Sequence, residues 1–82
     1  MEFAKGTVVK SVQGHDKGEH YLVVASDERF VYLSNGKNRK LAGPKKKSKR
    51  HVVSSEQIVD LQAHTDKTVR KLINRFNNAV SS

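Results

Sequence analysis

The histidines His15, His20, His51 and His64 are the side chains of this chain best suited to metal binding or proton transfer. Their spacing fits neither task. None forms an HExxH pair, and His15 and His20 lie five apart across an expected turn. There is no cysteine to complete a zinc set, and no thiol for a nucleophile or a disulfide. Asp16 follows His15 and serines are plentiful, yet adjacency in sequence is not a catalytic triad. Neither GxxxxGK[ST] nor GxGxxG occurs. No residue argues for catalysis. The expectation is a non-enzyme with no catalytic residue, no metal, no cofactor and no small-molecule substrate.

The chemistry that remains is electrostatic. The 82 residues carry 16 Lys plus Arg against 8 Asp plus Glu, a net charge of +8. Residues 1–36 hold 4 cations and 5 anions, and residues 52–82 hold 4 and 3. Residues 37–51 hold 8 cations and no anion, so the surplus sits in one short segment. Such a concentration calls for a polyanionic partner: RNA, DNA or an anionic membrane surface. No apolar run is long enough to span a bilayer, and Met1–Lys5 opens no signal-like stretch. The absence of cysteine favours a reducing compartment. A cytoplasmic protein with no membrane partner is expected.

The elements that must position these charges fall into two parts. Residues 1–53 read as β. Gly6–Val12 is rich in β-branched residues, and Tyr21–Ala25 and Phe30–Leu33 are compact apolar runs, at the spacing of a small barrel or sandwich. Asn35-Gly36 signals a type I′ hairpin turn, and Arg39–Leu41 should return from it as a short strand. Lys45-Lys46-Lys47-Ser48-Lys49-Arg50 would repel itself in a helix, so it should be an exposed loop or an edge strand, mobile without RNA. Val52-Val53 is placed to close the barrel.

Residues 54–82 read as one or two helices. A first N-cap is expected near Ser54 or Ser55, ahead of the anchors Ile58, Val59 and Leu61. A second lies at Thr65-Asp66. Behind it Val69, Leu72, Ile73, Phe76 and Val80 form one apolar stripe, with Lys67, Lys71 and Arg75 opposite. That basic face suits either plain solvation or a second RNA contact.

The segment from Gly6 through Val24 contains a strand, a polar loop with two glycines, and a second strand. It resembles the KOW motif, in which a basic residue and a glycine follow the first strand; Lys17-Gly18 matches that pair. On the loop alone, Gly18 suits an ordinary hairpin equally well. With Phe30–Leu33 and the basic stretch through Arg50-His51-Val52, residues 5–53 look like the KOW-containing large-subunit ribosomal proteins of archaea and eukaryotes. They look still more like the small bacterial KOW-domain RNA-binding proteins related to them. The chain lacks the extended C-terminal part of the longer relatives. The resemblance implies a mainly β fold: a small SH3-like β-barrel of KOW type over residues 1–53, followed by the helical extension 54–82.

It also moves the partner from polyanions in general to RNA. The expected function is docking on structured RNA, ribosomal RNA foremost, with ribosomal proteins as further neighbours in translation. Lys45, Lys46, Lys47, Lys49 and Arg50 would neutralise phosphates. His15 and Lys17 would flank Gly18, Lys37, Arg39 and Lys40 would extend the track, and Lys67, Lys71 and Arg75 could add a second contact. Such contacts read shape and backbone. Tyr21, Phe30 and Tyr32 are expected in the core rather than as stacking platforms, so little sequence specificity follows. The alternative is a protein-interaction adaptor in a translation or transcription complex; DNA binding is weaker, because nothing resembles a helix-turn-helix.

Overall fold

The computed structural model describes residues 3–78. Five strands, β1 (Thr7–Ser11), β2 (His20–Ser26), β3 (Phe30–Ser34), β4 (Lys45–Ser48) and β5 (Val52–Ile58), precede one helix, α1 (Asp66–Asn78). All pairings are antiparallel, and the sheet order is β4-β3-β2-β1-β5. The protein is therefore mainly β with a C-terminal helix.

β4 and β5 are the two edges of this sheet, yet only the 3-10 turn Lys49–His51 joins them. From Ser48 to Val52 the chain reaches at most about 14 Å. A flat sheet would hold its outer strands about 19 Å apart. The sheet must curl until its edges approach at this end. Val12 donates its backbone N–H to His51 O at 2.8 Å and fastens the corner. No ladder joins β4 to β5 among the described residues, so the barrel is not closed.

Both faces of the middle strands are covered. Val9, Tyr21, Val23, Val31, Leu33, Val52 and Phe3 cluster within the curl. Val8 and Leu22 point outward from β1 and β2 and meet Val69 and Ile73 of α1. Two-sided burial explains why Tyr21–Ala25 is a continuous apolar run rather than an alternating one. Each fully buried aliphatic side chain stabilises the fold by about 1.5–3 kcal/mol.

α1 begins where expected. Thr65 and Thr68 cap it reciprocally: Thr68 Oγ1 accepts from Thr65 N at 2.8 Å, and Thr65 Oγ1 from Thr68 N at 3.4 Å. Val69 and Ile73 are buried, Leu72 and Phe76 partly so, while Val80 lies outside the described residues. The far end is pinned to β2, because Asn77 Oδ1 accepts from His20 N at 2.9 Å. The His20 ring packs on Phe76 with centroids 5.4 Å apart.

Several expectations need correction. Ser54–Ile58 is strand, not helix: it completes β5, and the short 3-10 turn Leu61–Ala63 leads from it toward α1. Hydrogen bonding to β1 wins over local helix propensity there. Arg39–Leu41 forms no strand, and Asn35-Gly36 is no type I′ turn, because only Gly36 has positive φ (73°). Asn35 instead uses its side chain, with Oδ1 accepting from Lys37 N at 2.9 Å and Arg39 N at 3.0 Å. Of the two states expected for the lysine run, exposed loop or edge strand, it takes the second. Lys45–Ser48 pairs with β3 as the edge strand β4, in the register Phe30 to Ser48 and Leu33 to Lys45.

Candidate nucleic-acid interface

The basic strand carries its charge on two sides. Alternation along β4 sends Lys45 and Lys47 one way and Lys46 the other. Lys45 Nζ lies 2.9 Å from Asp16 Oδ2, and Lys47 Nζ lies 2.8 Å from Asp16 Oδ1. Lys47 also donates to Gln13 O at 2.8 Å. Asp16 sits in the turn between β1 and β2. These bonds therefore tie the edge strand β4 to the loop between β1 and β2.

Asp16 is 6% exposed and fully engaged. Ser11 Oγ donates to its Oδ1 at 2.8 Å and Tyr21 OH to its Oδ2 at 3.0 Å. Burial pushes the carboxyl up, but the hydrogen bonds from Lys47, Lys45, Ser11 and Tyr21 outweigh it. They hold Asp16 well below the ordinary carboxylate range. Tyr21 shifts the opposite way: burial first, then its bond to Asp16, raises the phenol. The positive charge of Arg39 offsets part of that rise. The sequence reading passed over Asp16 as a mere neighbour of His15. Its signal was the Lys-x-Lys spacing at 45 and 47, which points two ammonium groups from one strand face at one acceptor.

Around this anchor the loop exposes His15, Lys17 and Gly18. Gly18 has φ 95°, and its N–H donates to Ser11 O at 2.8 Å. A Cβ there would meet no atom within 4 Å, so a side chain would project into open space. Gly18→Ala should therefore cost only the backbone strain of positive φ, about 1–2 kcal/mol by urea denaturation. A loss beyond that range would mean the loop packs more tightly than described.

The remaining cations form three groups. Lys46 and Arg50 are exposed and Lys49 half-buried, continuing from β4 into the 3-10 turn. Lys37, Arg39 and Lys40 are exposed in the β3–β4 loop, which lies against the start of α1: Leu41 N donates to Asp66 Oδ1 at 2.7 Å. Lys67, Lys71 and Arg75 are exposed on the outer face of that helix. The structure brings His15, Lys17 and Gly18 together with β4. It places Lys37, Arg39 and Lys40 nearer the helix start.

Compared with models of known protein families and with curated proteins, the chain matches none. Its function must be argued from its own surface.

The aromatic side chains depart from expectation. Tyr21 is core, but Phe30 and Tyr32 are half-buried on the outer side of β3, since Val31 and Leu33 take the inner one. Lys46 Nζ stands 4.2 Å from the Phe30 ring centroid. Tyr32 OH donates to Asp27 Oδ2 at 2.9 Å, and Asp27 Oδ1 accepts from Arg29 N and Phe30 N at 3.0 and 2.8 Å. These backbone bonds, with the tyrosine bond, lower the Asp27 carboxyl, and the Tyr32 phenol rises in turn. Among the described residues, no group of three or more His, Cys, Asp or Glu could hold a metal ion, and no helix is long and apolar enough to cross a membrane.

Proposed function

We propose that this chain is a non-catalytic RNA-binding module of KOW type, an SH3-like barrel left open at one seam, which docks on structured RNA in the cytoplasm. Ribosomal RNA is the first candidate. One observation carries the reading: Asp16 fastens the basic edge strand to the loop bearing Lys17 and Gly18. A glycine turn that admits close backbone approach and a cationic ridge then form one continuous, preordered surface.

On that surface the cations divide by role. Lys45 and Lys47 spend charge internally on Asp16. Lys17, Lys46, Lys49 and Arg50 make no ion pair among the described residues and are the groups left for phosphates. If all five cations of residues 45–50 met phosphate together, the salt slope would be about −3.5 to −4.5. With four phosphates neutralised, log K against log salt should run at about −3 to −3.5. Fluorescence anisotropy with a structured ribosomal RNA hairpin at stepped potassium concentrations measures it. A slope near zero would remove the proposal. Crosslinking in cells would identify the RNA, and reads spread evenly over all transcripts would remove its ribosomal part.

A further inference from the structure

A phosphate-reading ridge has no use for an aromatic ring, yet this one has the half-buried Phe30 beside it. The β2–β3 turn and the 3-10 turn after β4 meet beside that ring. Lys49 N donates to Arg29 O at 2.9 Å and clamps the two together. Between them lies a cleft lined by Glu28, Arg29, Phe30, Ser48, Lys49 and Arg50. Lys46 is absent from this lining; its ammonium covers the ring from another side, where Phe30 also borders a smaller depression. One side of the ring is thus capped by a cation, while another borders an open cleft.

We propose that this cleft takes one unpaired nucleobase, stacked on Phe30, from a single-stranded or bulged part of the bound RNA. The inference rests on the RNA-binding reading above and adds the class of RNA element recognised. Stacking on aromatic rings inside a positive groove is how proteins hold unpaired bases, because every base has a π-face. Here Lys49 and Arg50 stand on the cleft wall where the flanking phosphates would run. Glu28 argues against a bare phosphate site: a carboxylate repels phosphate but accepts from the amino group of adenine, cytosine or guanine. The support is rigid, since Asp27 holds the turn by two backbone N–H bonds and fixes Tyr32 by a third. Ordering cost on binding is correspondingly small.

The test compares a short oligoadenylate with a blunt RNA duplex, using the full chain and its Phe30→Leu and Phe30→Tyr variants. Phe30→Leu keeps an apolar side chain and removes the π-face. It should weaken oligoadenylate binding about 5- to 150-fold, the range expected for one stacked base, and leave duplex binding within about twofold. Phe30→Tyr should restore the single-strand affinity. Independently of any variant, oligoadenylate should shift the Phe30 ring proton resonances of the unaltered protein upfield. Unshifted ring resonances, or oligoadenylate binding that survives Phe30→Leu, would overturn the stacking site while duplex binding kept the RNA reading intact. Failure of the unaltered protein to bind either RNA would overturn both.

Discussion

Asp16→Ala is expected to lower the unfolding free energy by about 3–5 kcal/mol, the cost of stripping one partner from a buried ionic cluster. The side chain of Asp16 is 7% exposed and that of Lys47 is 9% exposed, so neither is well screened by water. Removing the carboxylate leaves two lysines facing each other without a counter-charge. It also leaves the Ser11 and Tyr21 hydroxyls without their acceptor. Adding Lys47→Met to Asp16→Ala should recover part of the loss, because apolar replacement of a whole buried pair is often near neutral. Urea denaturation measures both variants. An Asp16→Ala protein as stable as its parent would show that the cluster is decorative.

The same cluster sets an acid limit. The folded Asp16 carboxyl lies below its unfolded value, near 3.9 for aspartate. Its contribution is therefore fully present above about pH 4 and lost as pH falls toward the folded value. Stability measured at stepped pH should fall there in the parent. Asp16→Asn should show a flatter acid limb from a lower plateau. Parallel curves for the two would sink this account.

Gly36→Ala is the second large effect, at about 2–5 kcal/mol when backbone strain and overpacking are taken together. Gly36 has φ 73°, and an added Cβ would lie 2.6 Å from Arg70 N and closer still to Asp66 O. Both are helix backbone atoms, which cannot rotate aside as a side chain can. The first turn of α1 would have to retreat from the sheet and open the packing of Val69 on Val8 and Leu22. Gly18 gives the control, having a similar φ and empty space around it. Thermal unfolding of both alanine variants should place Gly36→Ala well below Gly18→Ala. Equal losses would mean that strain alone matters at both sites.

These two glycines also mark where sequence reading stops. A turn glycine is legible from its neighbours, and the strand–loop–strand around Gly18 was. That Gly36 faces a helix thirty residues later is a tertiary fact with no local trace. The first three strands and the stripe Val69, Leu72, Ile73, Phe76 were readable because burial imposes a period. Ser54–Ile58 was not: its serines, glutamate and glutamine are exposed and patternless, and pairing with β1 alone makes it a strand. The charge of Lys45 and Lys47 was evident, but its internal use was not, since Asp16 lies about thirty residues away. Phe30 and Tyr32 were assigned inward because aromatics usually are. The inner places went to Val31 and Leu33, and alternation decided the rest.

The position of β1 has a consequence for how the chain is made. β1 pairs with β2, which follows it closely, and with β5, which is separated from it by forty residues. During synthesis the first hairpin can form as soon as β2 emerges, but the other edge of β1 stays unpaired until residues 52–58 arrive. Closing such a distant pairing is slow compared with local contacts, and an open edge exposes the nascent chain to wrong partners. The first of these strands is thus completed only after about three-quarters of the described chain has been built, and assembly of the sheet is gated by its fifth strand.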